Sequence, residues 1–182
     1  DPAVGAEDTA IALPDISATL VDSSETLTVT ISDIPEGAVL TSGTDTFTAP
    51  VGGGSVDVTG WNLDNLTITP PLHSDEDFDL TVAATSSDGS ATETVSTSLS
   101  VDVSGVADAA MVETTDVAGE QGTTFDLDIS SAFVDTDGSE TMTVEISGVP
   151  DGATLSAGTS SDAGDGTTTW TLTQDQLEDL QI

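Results

Sequence analysis

Neither lysine nor arginine occurs anywhere in this sequence, and cysteine is also missing. Against 34 Asp and Glu residues stands a single histidine, so the formal net charge is −34. A chain without cations cannot neutralise phosphates, which excludes nucleic acid and anionic membrane surfaces as partners. It also cannot form internal carboxylate–lysine or carboxylate–arginine pairs. Only water, mobile counterions or bound metal cations can offset the repulsion. The lack of cysteine excludes disulfides and thiolate metal sites. No apolar run reaches the eighteen or more residues of a membrane-spanning helix, and no signal peptide is visible. The start at Asp1-Pro2 reads as the interior of something longer. Aromatic residues make up 3% of the chain, a composition shared with disordered proteins. Ordered alternation of apolar residues along the chain argues instead for a fold.

That order is doubled. The string "SSETLTVTISDIPEGAVLTSGT" at 23–44 recurs as "GSETMTVEISGVPDGATLSAGT" at 138–159. "ISATLVD" (16–22) matches "ISSAFVD" (129–135), and "NLDNLTI" (62–68) matches "QLEDLQI" (176–182). The spacing changes by one or two residues between these blocks, as expected for two copies of one module with small loop changes. The expected division is a complete module at 1–105 and a second copy at 106–182, truncated before its last strands. Residues 69–104 of the first copy have no equivalent in the second. On that reading Met142, Val144, Ile146, Leu172 and Leu180 require strands from elsewhere to cover them.

Leu27, Val29 and Ile31 alternate with threonines, and Met142, Val144 and Ile146 do so in the second copy. Phe78, Leu80, Val82 and Ala84 continue the period, as do Leu99, Val101 and Val103. Period-two alternation with threonine on the other face marks half-buried strands. "IPEG" and "VPDG" predict tight turns with Pro at the second and Gly at the fourth position, and "SSDG" predicts another. "TQDQLEDL" (173–180) is the one helical candidate, opened by Thr173 with Gln176 three residues on. Trp170 is expected inside and Trp61 at a surface edge. The expected fold class is all-β: tandem antiparallel β-sandwich modules of immunoglobulin-like or cadherin-like type, the second incomplete.

The acidic residues gather in loops. "DTDGSE" (135–140) is not an EF-hand, because neither its glycine nor its glutamate has that spacing. Its Asp-x-Asp step still lets two carboxylates turn toward one point, with Gly138 permitting a tight backbone. "AED" (6–8), "SDEDFD" (74–79) and "GVADAA" (105–110) lie where a module begins, where a strand begins and where the copies meet. Glu7, Asp75, Asp77, Asp108, Asp135 and Asp137 are therefore the expected metal ligands. Hard oxygen donors without imidazole or thiolate suit Ca²⁺ rather than Zn²⁺ or Cu²⁺.

"SDEDFDLTVAATSSDG" and "DTDG" resemble cadherin sequences, and "DGSETMTVEISGVPDGATLSAGT…WTLT…QLEDLQI" is similar to the tandem repeats of giant bacterial adhesins (RTX adhesins). The resemblance covers nearly the whole chain. The first copy has "VDSSE" in place of "VDTDGSE", and the glycine-rich nonapeptide of such proteins is absent, "GGGSVD" (52–57) reading as a hairpin tip. The resemblance implies an extracellular, surface-attached protein exported by type I secretion, whose partners are neighbouring repeats of the same chain. Lone His73 reads as a loop residue rather than a zinc ligand or catalytic base. Acidic pairs without sugar-stacking aromatics argue against glycoside hydrolysis, so no enzyme activity is expected. The expected function is a structural extender of an adhesin, supporting cell adhesion and biofilm formation, with Ca²⁺ rigidifying the joint between modules. Alternatives are a subunit of a self-assembling extracellular filament built from like subunits, a sugar- or protein-binding module, and halophilic acidity without a specific ion.

Overall fold

The computed structural model describes all 182 residues. The chain is all-β and forms two compact units, Asp1–Val106 and Ala107–Ile182. No helix is long and apolar enough to cross a membrane.

The first unit contains nine strands: β1 (Ala3–Ala6), β2 (Ile11–Ala12), β3 (Thr26–Ile34), β4 (Val39–Ser42), β5 (Asp45–Thr48), β6 (Gly54–Asp57), β7 (Leu66–Thr69), β8 (Phe78–Asp88) and β9 (Ala91–Ser104). One sheet has the order β1-β9-β8-β3-β6 and the other β2-β7-β4-β5. The alternation along β3 puts Val29 and Ile31 into the core while the threonines face outward. Leu80, Val82, Val101 and Val103 join them from the same sheet, and Ile11, Leu40, Leu66 and Ile68 from the other. Every pairing is antiparallel except the first with the last: β1 runs parallel to β9, Ala3 opposite Val101 through Ala6 opposite Ser104. β8 and β9 form a long hairpin closed at Gly89-Ser90, where Asp88 pairs with Ala91 and Gly89 takes a positive φ.

The second unit contains β10 (Met111–Thr114), β11 (Ile129–Ala132), β12 (Thr143–Pro150), β13 (Thr159–Asp162) and β14 (Thr167–Thr173). β10 pairs with β11, and the other three form a sheet in the order β12-β14-β13. The repeat is visible in individual bonds. Leu13 N donates to Leu66 O at 2.9 Å in the first unit, and Leu127 N to Leu180 O at 2.8 Å in the second. Ile31 pairs with Val56, and Ile146 with Trp170. Nothing in the second unit corresponds to β8 and β9. Its first strand pairs with β11 instead, whereas residues 16–20, the matching stretch of the first unit, form no strand.

Several expectations need correction. Val144, Leu172 and Leu180 are buried in a cluster built by their own unit, with Leu155 and Leu177; only Met142 and Ile146 remain half-buried. The Leu127–Leu180 pairing and the turn after β14 help to cover these three side chains without further strands. The helical candidate is a 3₁₀ turn, Gln174–Leu177, whose capping box is present: Gln176 Oε1 accepts from Thr173 N at 2.9 Å. In "IPEG" and "VPDG" the turn begins one residue later than expected. Ala38 N donates to Pro35 O and Ala153 N to Pro150 O, both at 3.0 Å, so Gly37 and Gly152 occupy the third position with positive φ, where glycine avoids a Cβ clash. Trp170 is half-buried rather than interior, and its Nε1 donates to Thr168 Oγ1 at 3.2 Å. Trp61 packs partly onto the first core instead of standing at an edge.

Candidate metal centres

The first unit gathers carboxylates where β1 ends, where β9 ends and where the loop before β8 passes. Glu7 follows β1 directly and is 2% exposed. Its N donates to Ser104 O at 3.0 Å, and its Oε1 accepts from Val106 N at 2.5 Å. Asp77 Oδ1 accepts from Val103 N at 2.7 Å. Gly105 lies among these groups: a Cβ there would stand 3.4 Å from Asp75 Oδ2 and 3.6 Å from Glu7 Oε1. Two carboxylates thus approach the chain together at this point. Beside them Asp8 holds His73 twice, Oδ1 accepting from His73 N at 2.9 Å and Oδ2 lying 3.1 Å from Nδ1. Both residues adopt positive φ, 55° and 54°, uncommon outside glycine.

The second unit builds its site on the loop after β11. Asp135 Oδ1 accepts from Asp137 N at 2.8 Å, and Asp137 Oδ1 from Ser139 N at 2.7 Å. Each carboxylate closes a turn on the amide two residues on, as short acidic side chains do, and Gly138 supplies the φ of 96° that reverses the chain. Glu140 reaches back so that Oε1 accepts from Asp108 N at 2.6 Å. Asp135 is 2% exposed, and its Oδ2 is buried with no hydrogen-bond partner. Asp135 and Asp137 bring carboxylate oxygens within 4.8 Å of each other. A cavity of about 330 Å³ has its polar lining from Asp135, Thr136, Glu140 and Gln174.

Aspartates elsewhere show what an ordinary acidic loop looks like. Asp22, Asp57 and Asp165 are held below the usual carboxylate range by hydrogen bonds from, in turn, the Ser24 amide and hydroxyl, the Thr59 hydroxyl and amide, and chiefly the Thr167 hydroxyl. They are fully exposed, and water solvates their free oxygens. Asp135 differs because its free oxygen is shut away from water. A buried charge without a partner is costly by several kcal/mol, and no side chain of this protein other than His73 can carry a positive charge to relieve it.

Of the six expected ligands, Glu7, Asp75 and Asp77 sit at one end of the first unit, and Asp108, Asp135 and Asp137 in and around one loop of the second. Sequence reasoning passed over Asp8, which lies within the quoted "AED", and over Glu140, the last residue of "DTDGSE". It also missed the tie between His73 and Asp8. Acidic residues of the chain, Glu7, Asp8, Asp108, Asp135 and Asp137 among them, could hold a metal ion. Comparison with protein-family models, curated proteins and solved structures finds no match.

Proposed function

We propose that the chain is structural: two extender modules of a long bacterial cell-surface adhesin, exported by type I secretion, whose acidic loops bind Ca²⁺ and thereby stiffen the segment connecting the modules. The observation that carries this reading is Asp135, a buried carboxylate with an unpartnered oxygen in a chain without lysine or arginine. The donors around it are hard oxygens, and a set of several carboxylates favours Ca²⁺ over the smaller Mg²⁺, which keeps its waters. Tandem copies with the same internal hydrogen bonds fit a role in spanning distance.

The connecting segment gives the ion its mechanical lever. Val103 N and Val106 N are held by Asp77 and Glu7, and Asp108 N by Glu140. Each of these carboxylates gives one oxygen to the backbone. Ions neutralising the groups of each unit would fix its end of the segment, and their removal would restore repulsion. Extracellular Ca²⁺ modules have Kd values of roughly 10⁻⁴ to 10⁻³ M, and at about 100-fold excess each site adds ~2.7 kcal/mol. The test is a titration with Ca²⁺ and with Mg²⁺, following melting temperature and small-angle scattering. Ca²⁺ should raise the melting temperature and narrow the range of shapes well beyond Mg²⁺. Unchanged melting and scattering on adding chelator at low salt would refute the reading.

A further inference from the structure

The second unit leaves bare a strand edge that the first unit has paired. β3 lies between β6 and β8, whereas β12, its counterpart, pairs with β14 alone and is the outermost strand of its sheet. The two strands share one pattern, Leu27-Thr28-Val29-Thr30-Ile31-Ser32 against Met142-Thr143-Val144-Glu145-Ile146-Ser147. Burial differs at one of the three matched apolar positions, Ile31 against Ile146. Ile31 faces Val82 across the β3–β8 ladder and is 0% exposed; Val29 faces Ala84. Ile146 has the equivalent neighbour on its β14 side, Trp170, yet stays half-buried, whereas Val29 and Val144 are both buried and Leu27 and Met142 both half-buried. A free edge beside partly covered apolar side chains is a template for another strand.

We infer that the β12 edge docks an extended strand with the alternation of β8, Phe-x-Leu-x-Val-x-Ala, entering antiparallel in the register that β3 and β8 use. That register sets a valine-type residue opposite Ile146 and an alanine-type residue opposite Val144, covering the Ile146 side chain that the bare edge leaves half-buried. Charge selects the same occupant. Glu145 replaces Thr30, whose partner is Ala83, and like charges placed directly opposite destabilise a ladder. Residues 81–87 of β8, the stretch paired with β3, contain no acidic residue in a chain of net charge −34. A strand of this composition can lie against Glu145 without added repulsion.

The test mixes the whole chain with a synthetic peptide of residues 77–104 and follows hydrogen–deuterium exchange. Salt at 1 M, where the screening length is ~3 Å, suppresses general repulsion. No Ca²⁺ is added, so the outcome does not depend on the metal reading. Exchange across 141–149 should slow about tenfold or more, and a peptide carrying Val82→Asp and Ala84→Asp should leave it unchanged. No slowing with the native peptide, equal slowing with both peptides, or slowing confined to β9 or β10 overturns the inference. So does protection of 141–149 that rises with protein concentration in the absence of peptide, which would give the edge to a second copy of the chain.

Discussion

Replacing Asp135 by asparagine should stabilise the protein in chelator and abolish most of its gain from Ca²⁺. The amide oxygen keeps the acceptor for Asp137 N, now 2.8 Å from Oδ1. What changes is the second oxygen, buried and unpartnered in the wild type. An unpaired buried charge costs several kcal/mol, whereas an unpartnered amide group costs about 1–3 kcal/mol. The Asp135→Asn substitution should therefore leave the cation-free protein more stable by roughly 1–3 kcal/mol, the difference of those two costs. With Ca²⁺ at about 100 times Kd the wild type gains ~2.7 kcal/mol, and a variant whose Kd is about 100-fold weaker gains only ~0.4 kcal/mol. For a unit of this size 1 kcal/mol moves the melting temperature by about 4–8 °C, so both effects are measurable by calorimetry on wild type and variant, each with chelator and with Ca²⁺. A variant less stable than wild type in chelator, or equal Ca²⁺ increments in the two proteins, would refute the reasoning: Asp135 would then be an ordinary hydrogen-bonded loop residue.

Two glycines at matching repeat positions should behave differently. Gly43 and Gly158 both have positive φ, but a Cβ at Gly43 meets nothing within 4 Å, while at Gly158 it would stand 2.8 Å from Leu172 Cγ and 2.9 Å from Thr171 O. Alanine should cost about 1 kcal/mol at 43, from φ alone, and distinctly more at 158, where backbone must shift; denaturant melts of the two variants compare them, and equal costs would contradict the packing. Acid should weaken the fold through Asp22, Asp57 and Asp165. Their hydrogen bonds hold the folded pKa below 3.8, so the contribution is complete above that value and is lost as pH falls through the folded pKa. Thr59→Val should flatten this acid limb at Asp57, read by NMR titration of the Asp57 carboxyl; an unaltered titration would assign the shift to something other than the Thr59 hydroxyl.

The strands were legible because burial on a sheet has period two, and Leu27, Val29 and Ile31 display it without interruption. "TQDQLEDL" was harder. Its cap at Thr173 and Gln176 was readable, but so short a segment rarely sustains an α-helix, and the chain needs Leu180 to pair with Leu127. The turns at Pro35 and Pro150 were placed one residue off because proline suits more than one turn position, and only the backbone decides which. Asp135 and Asp137 were legible as a pair, since their closure is local. The role of Glu140 depends on the amide of Asp108, and that of Asp8 on His73, partners 32 and 65 positions apart. Spacing in the sequence carries no trace of such ties. The pairing of β10 with β11 was equally hidden, as the matching stretch of the first unit forms no strand.

The parallel pairing of β1 with β9 decides how the first unit answers a pull along the chain. The two strands are the unit's first and last, and parallel neighbours have their outgoing ends at opposite edges of the ladder. Tension applied through the chain at Ala3 and at Ser104 therefore slides one strand along the other. The ladder bonds are loaded together, joined by Glu7 N to Ser104 O at 3.0 Å and Ser104 Oγ to Gly5 O at 3.1 Å; antiparallel terminal strands would peel open bond by bond, like a zip. Glu7 and Val106 lie just beyond this clamp, so the Glu7 carboxylate grips the chain at the point where force enters it. Resistance to stretching in this unit is thus set by a four-residue shear joint and the acidic group beside it, rather than by the depth of the hydrophobic core.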